Sequence, residues 1–221
     1  TNITPKGRQT IIEIDSLGRP VQVQVAEILP TNFGYDSHGR LESATWGSGD
    51  DIRTTTFSYN NDGYLASITD PLSNTENFEY DNAGRMIKHT LPDAREINFT
   101  YDTNGNIITI TPPGRSAHSF TYTPVDLQSS YTPPKVGKKT SKTRYKYNAD
   151  LRLTSIKRPD GKVVKLGYDS AGRLITVSKA NLSYDYAATT GNLKTITRDG
   201  SNLSYSFDGT LLTDETWDGD I

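Results

Sequence analysis

The sequence predicts an all-β chain of tandem antiparallel β-hairpins. Three observations carry that prediction. A short aromatic motif recurs, most often at 21 residues, along the 221-residue chain. Each repeat is punctuated by Gly, Pro, Asp and Asn at positions suited to tight turns. No stretch sustains the 3.6-residue periodicity of an amphipathic helix, so almost no helix is expected.

The repeat reads aromatic-x-Tyr-Asp-x-x-Gly-Arg-Leu. Full copies run from Phe33 to Leu41, from Phe78 to Met86 and from Leu166 to Leu174. Weaker copies centre on Ile14, Tyr59, Tyr101, Tyr122, Tyr147, Tyr184 and Tyr205. The ten anchors lie at 14, 35, 59, 80, 101, 122, 147, 168, 184 and 205, and six of the nine intervals equal 21. Such a period marks a repeat architecture.

The first strand of a repeat carries its aromatics at i and i+2, as Phe78 and Tyr80 do, so both rings fall on one face. Asp then opens a type I turn and Gly closes it three residues later, where positive φ suits a following bulge. The second strand is β-branched, as in Leu65–Thr69 or Ile107–Thr111. A second turn ends the repeat, as at Asp70-Pro71-Leu72-Ser73-Asn74, Pro112-Pro113-Gly114 or Pro159-Asp160-Gly161. Leu65 and Ile68 are three apart, so either a bulge resets strand parity or both faces are partly covered. Two places depart from the pattern. The stretch 123–144 lengthens one repeat to 25, and the repeat after it has Leu151 where Gly is expected, which should force a different turn. Beyond Tyr184, the next glycine is Gly191, which predicts a longer hairpin loop.

Composition sets the outer limits. Net charge is −2, which points away from nucleic acid as a partner. Hydrophobic residues make up 33%, and 13 tyrosines suit half-buried sheets in which the ring packs and the hydroxyl stays wet. There is no Cys, which excludes disulfides and cysteine-based zinc sites. No run is long and apolar enough to be a membrane helix, so membrane insertion by this segment is not expected. The first residue is Thr1 and no signal segment is visible, so the sequence is expected to be part of a longer polypeptide.

The Tyr-Asp-x-x-Gly-Arg-Leu copies, with Pro-Asp-Gly and Pro-Gly-Arg between them, resemble the YD repeats of RHS-repeat proteins over about residues 12–219. The resemblance implies a single array of about ten repeats across 1–221, forming a long curled, spiral sheet that belongs to a larger hollow shell. In bacterial RHS and Tc-toxin-like members such a shell encloses a C-terminal toxin segment, and in teneurins it belongs to an adhesion receptor. The implied partners are therefore further YD repeats and an enclosed C-terminal domain, in a secreted or cell-surface setting, bacterial by resemblance. The family's autoproteolytic motif resembles Asp-Pro-x-Gly-Leu. Asp70-Pro71-Leu72 shares only its first two residues and sits in a repeat turn. The alternative fold is a β-propeller, since two repeats match one four-stranded blade.

The structural motif residues are Tyr35, Asp36, Gly39, Arg40, Tyr80, Asp81, Gly84, Arg85, Tyr101, Asp102, Gly105, Tyr168, Asp169, Gly172 and Arg173. The repeated Arg is expected to pair with Asp or to lay its stem across a ring. His38, His89 and His118 lack a metal-ligand spacing, and the aspartates fit turn capping better than paired-carboxylate chemistry. No enzyme activity, cofactor or metal is expected. The functional expectation is a structural shell segment that encapsulates or presents cargo; the alternative is an adhesion or carbohydrate-binding repeat module. Candidate glycan contacts for that alternative are Trp46, Trp217, Lys138 and Lys139, the last two in a lysine-rich run from Lys135 to Lys146.

Overall fold

The computed structural model describes residues 2–3, 9–135 and 141–219. The chain divides into two compact units. The first is residues 1–100 with 110–115; the second is residues 101–109 with 116–221.

In the first unit the strands are β1 (Asn2–Ile3), β2 (Gln9–Ile14), β3 (Pro20–Val25), β4 (Thr31–Tyr35), β5 (Leu41–Trp46), β6 (Arg53–Tyr59), β7 (Leu65–Thr69), β8 (Thr75–Tyr80), β9 (Met86–Thr90) and β10 (Glu96–Tyr101), the last reaching the division. Each pairs antiparallel with the next, in one meander from β1 to β10. A ladder of ten strands without interruption is not a series of four-stranded blades, so the propeller alternative is excluded. A single 3₁₀ turn, Gly49–Asp51, sits between β5 and β6 and accounts for the longer interval there.

Strand β11 (Ile107–Thr111) falls across the division. The second unit continues with β12 (His118–Tyr122), β13 (Gln128–Thr132), β14 (Thr143–Tyr147), β15 (Leu153–Lys157), β16 (Val163–Tyr168), β17 (Leu174–Val177), β18 (Leu182–Tyr186), β19 (Leu193–Arg198), β20 (Ser201–Asp208) and β21 (Leu211–Asp218). These also pair antiparallel in chain order.

The hairpin turn follows from its residues. The Gly39 N–H donates to the Asp36 carbonyl at 2.9 Å, and the Asp36 N–H donates to the Arg40 carbonyl at 2.9 Å. Gly39 has φ +80°, the left-handed conformation that a side chain disfavours. The Asp36 carboxylate accepts from the N–H groups of His38 and Arg40, both at 2.9 Å, which satisfies two donors the turn would leave unpaired. The same five-residue turn closes the opposite end of several repeats, as at 70–74 and 158–162.

The parity question resolves in favour of the bulge. Tyr59 pairs with Leu65, but Ser58 pairs with Ser67, so Ala66 is an extra residue. Leu65 and Ile68 therefore share one face with Phe57 and Tyr59. The same shift occurs just before the anchor in other hairpins of both units, for example at Gly34/Tyr35 and Gly167/Tyr168. The result is two chemically distinct faces. One carries aromatic and aliphatic pairs such as Phe57–Ile68, Phe120–Tyr131 and Tyr145–Ile156. The other carries a lattice of hydroxyls and amides, with Thr45–Thr54 at 3.1 Å, Ser58–Ser67 at 2.7 Å and Thr69–Thr75 at 2.9 Å.

Among the described residues no hydrophobic side chain is fully buried, and Ser130, at 3% exposure, is the only buried polar one. Each unit thus lacks a two-layer core, and its rings are covered from the side by neighbouring rings.

Three expectations need correction. The anchor of the ninth repeat is Tyr186 rather than Tyr184, because the bulge lies between Asp185 and Tyr186. The tenth anchor is Phe207 rather than Tyr205, with its bulge between Ser206 and Phe207. Leu151 does not force a different turn. It takes φ +62°, and its N–H donates to the Asn148 carbonyl at 3.1 Å as a glycine's would. The paired strands on both sides impose the turn, and the leucine bears the strain. The loop after Tyr186 is longer, as expected, with the Ala187 N–H reaching the Asn192 carbonyl.

Candidate functional site

The residues that recur in sequence assemble into a clamp between successive repeats. In the first unit, Arg40 Nε donates to Asp36 Oδ2 at 2.7 Å and its Nη2 lies 2.7 Å from the same oxygen. The guanidinium also lies over the Tyr59 ring of the next repeat, 4.3 Å from its centre. Arg19 repeats this with Asp15 and Tyr35, and Arg173 in the second unit with Asp169 and Tyr186. The planar guanidinium serves both contacts at once, which an ammonium cannot.

The tyrosine hydroxyl completes the clamp from the other side. Tyr35 donates to the Pro20 carbonyl at 2.7 Å and Tyr59 to the Leu41 carbonyl at 2.8 Å. In the second unit Tyr122, Tyr147, Tyr168 and Tyr186 donate to the carbonyls of Ile107, Gln128, Leu153 and Leu174 at 2.8–2.9 Å. In every case the acceptor is the residue that follows the clamp position of the preceding repeat. The bulge leaves that carbonyl free of the regular ladder, and the hydroxyl satisfies it.

The turn glycine has a second role. A Cβ on Gly39 would meet Arg19 Nη1 at 3.0 Å, and one on Gly172 would collide with the Arg152 guanidinium. The glycine thus makes room for the previous repeat's clamp. Tyr64 occupies the arginine position of its repeat and stacks on Tyr80, ring centres 5.1 Å apart, above Gly84. Asn106 stands in the same position in the second unit. Its amide donates to Asp102 Oδ2 at 3.1 Å and to Asp126 Oδ1 at 2.7 Å. Tyr101 closes β10 and Gly105, at φ +92°, closes the turn that Asp102 opens.

These contacts lower the aspartate pKa values. The Asp81 carboxyl is held below its ordinary value by the Arg85 side chain, then by the Arg85 and Ala83 N–H groups. For Asp169 the Arg173 N–H contributes most, ahead of the Arg173 side chain. At Asp36 partial desolvation pushes upward but is outweighed by the Arg40 N–H and side chain.

The other sequence candidates do not converge. Trp46 ends β5 with Arg53 5.4 Å from its ring centre, and Trp217 in β21 donates from Nε1 to the Gly219 carbonyl at 3.1 Å. Lys138 and Lys139 lie outside the described residues. His89 contacts Glu76 at 2.7 Å and His118 contacts the Tyr131 hydroxyl at 2.7 Å, one pair on each and no shared centre. Among the described residues no group of three His, Cys, Asp or Glu could hold a metal ion. Sequence reasoning foresaw the Asp–Arg pairing but missed the hydroxyl-to-carbonyl bonds between repeats. The recurring interval of about 21 residues was the available signal, since it places each tyrosine on the strand next to the preceding repeat's bulge.

Comparison with known proteins agrees with this fold. The profile of the Teneurin YD-shell family matches residues 3–220. Among solved structures, the complex TcdB2-TccC3-Cdc42 superposes with a TM-score of 0.66 at 15% identity, covering 93% of this chain and 13% of that one. TcdB2-TccC3 without its hypervariable C-terminal region gives 0.67 at 14% identity, again covering 93% and 13%. The Photorhabdus luminescens Tc holotoxin pore gives 0.63 at 15%, with the same coverage. This chain therefore spans about an eighth of the length of those it matches. No curated protein matches significantly. With nearly its whole length matched by the family profile, and the fold shared with those toxin structures, the chain belongs to the teneurin YD-shell family.

Proposed function

We propose that this chain is a stretch of wall in a larger YD shell, and that the shell encloses or presents a C-terminal cargo segment of a secreted or cell-surface polypeptide. Its partners on this reading are further YD repeats and the cargo. The observation that carries the proposal is the clamp. In several repeats the most distinctive residues fasten one repeat to the next, through a guanidinium that an ion pair holds over the next repeat's ring and a half-buried hydroxyl bond from that ring back to the backbone. Such residues serve mechanical continuity rather than turnover, and no catalytic activity is assigned to them. A repeat without a core of its own gains stability only from neighbours, which suits a wall.

The test uses the full-length parent polypeptide and limited trypsin digestion. Cargo within an intact shell survives at protease levels that digest the same segment expressed alone. Replacing the clamp tyrosines by Phe in the parent should open the wall and abolish protection. Equal digestion of the free and the shell-linked segment would refute the encapsulation reading.

A further inference from the structure

We infer that the polar face of strands β14–β16 is a binding site for a linear sulfated polysaccharide, a role beyond that of a wall. The five consecutive strands β13–β17 contain no Asp or Glu. They contain four basic residues, Arg144, Lys146, Lys157 and Lys165. The register puts all four on one face. Arg144 pairs directly with Lys157, and Lys146 pairs with Ser155, which in turn pairs with Lys165. All four are exposed. Lys142 and Arg158 flank this row, and with Arg144 and Lys157 they line a concavity of about 370 Å³.

Like charges directly opposite one another cost stability unless something neutralises them. Elsewhere on the polar face a carboxylate does so. Lys88 lies 2.6 Å from Glu79 and 3.5 Å from Glu96, and Lys194 lies 3.7 Å from Asp185. Among the described residues no such carboxylate pairs with Lys142, Arg144, Lys146, Lys157 or Lys165, and Arg158 has only Asp160 at 3.5 Å. The cluster stands on a chain whose net charge is −2, so it is a local feature rather than a general basicity.

The surroundings select the ligand class. This face of β14–β16 presents Ser155 and Val163 beside the basic residues and no aromatic ring. It offers no stacking platform for unpaired bases and no apolar centre of the kind a protein partner or a lipid surface would bury. Charges about 5 Å apart across strands and about 7 Å apart along a strand instead match closely repeated strong anions on one extended chain. Sulfate groups on a polysaccharide provide that pattern, and guanidinium and ammonium groups bind them without displacing apolar surface.

The experiment is titration calorimetry of the 221-residue chain with heparin, a sulfated polysaccharide, alongside fully desulfated heparin, poly-glutamate and duplex DNA of matched charge. Binding to heparin is expected, weakening about 100-fold between about 50 and 200 mM NaCl, because the four basic side chains displace about four sodium ions condensed on the polysaccharide. The quadruple variant Arg144→Ser, Lys146→Ser, Lys157→Ser, Lys165→Ser should lose at least about 10-fold in affinity. It removes exposed like charges, so its circular dichroism should match that of the unaltered chain. The charge-preserving pair Arg144→Lys and Lys146→Arg should retain binding, and Lys194→Ser, which removes a neutralised cation, should leave it unchanged. Absence of heparin binding, or equal binding by a folded quadruple variant, overturns the site. Equal affinity for desulfated heparin, poly-glutamate or DNA overturns the ligand class.

Discussion

Replacing the six clamp tyrosines by phenylalanine isolates the hydroxyl-to-carbonyl bonds from everything else in the fold. Phenylalanine keeps the ring, which at Tyr35, Tyr59 and Tyr186 lies under an arginine, keeps the cross-strand pair, and removes only the donor. Tyr59→Phe deletes the 2.8 Å bond to Leu41 and leaves that carbonyl half-covered without its partner. The loss expected is about 1 kcal/mol, the ordinary net value of such a bond. With a urea slope of about 2 kcal/mol/M, the unfolding midpoint falls by about 0.5 M. The targets are Tyr35 and Tyr59 in the first unit and Tyr122, Tyr147, Tyr168 and Tyr186 in the second. Successive clamps are separated by two strands, about 10 Å, so their effects should add. All six together should cost about 3–9 kcal/mol against a typical total of about 5–15 kcal/mol, enough to unfold much of the chain. The assay is urea unfolding followed by far-ultraviolet circular dichroism and tyrosine fluorescence in parallel, because a weakened repeat array can melt in parts. A sixfold variant within about 1 kcal/mol of the unaltered chain would refute the claim that these bonds fasten the repeats.

Four further outcomes follow from the same geometry. Leu151→Gly should stabilise by about 0.5 kcal/mol in the same urea assay, because relief of about 1–2 kcal/mol of left-handed strain exceeds the glycine's entropic cost, and Leu151 is 53% exposed so little burial is lost. Gly18→Ala, at φ +79° with open space around it, should cost about 1 kcal/mol from backbone strain alone. Gly172→Ala, at φ +80°, should cost more, because its methyl meets the Arg152 guanidinium. Acid should weaken the array: the carboxyls of Asp15, Asp36, Asp81 and Asp169 titrate below the ordinary 3.8, so the stability they supply is complete above that value and lost as pH falls through the lowered folded values. The urea midpoint should be level between about pH 7 and 5 and decline below about pH 4, and Asp81→Asn should flatten the decline.

Much of the fold was legible because each repeat states its own local structure. The i, i+2 aromatics, the Asp-to-Gly turn and the β-branched second strand each specify one element, and they agree with one another. The bulge was only half legible: the three-residue spacing of Leu65 and Ile68 raised it, and the register at Tyr59–Leu65 decided it. The misplaced anchors at Tyr184 and Tyr205 have a physical source. Tyr184-Asp185-Tyr186 offers two aromatic positions on the same face, and only the position of the bulge, which depends on loop length, tells them apart. Leu151 misled because a side-chain preference was weighed without the paired strands that overrule it.

The candidate anion site shows why function was harder to see than fold. Residues that build the array lie on the aromatic face and in the turns, so the repeat period reports them. The polar face carries no such obligation. Its Ser and Thr contacts at Thr45–Thr54 and Ser58–Ser67 can be replaced by other polar pairs without breaking a clamp. Charge can therefore accumulate there for reasons unconnected with folding. In sequence, Arg144, Lys146, Lys157 and Lys165 are spread over 22 positions and three strands, and only the first two fall in the visible lysine-rich run. Alternation and register bring all four together, while the bulge at Lys146/Tyr147 shifts the parity that a count along the sequence would assume. If the quadruple serine variant folds as well as the unaltered chain but no longer binds heparin, the two faces have separable tasks: one holds the repeats together, and the other is free to acquire a ligand.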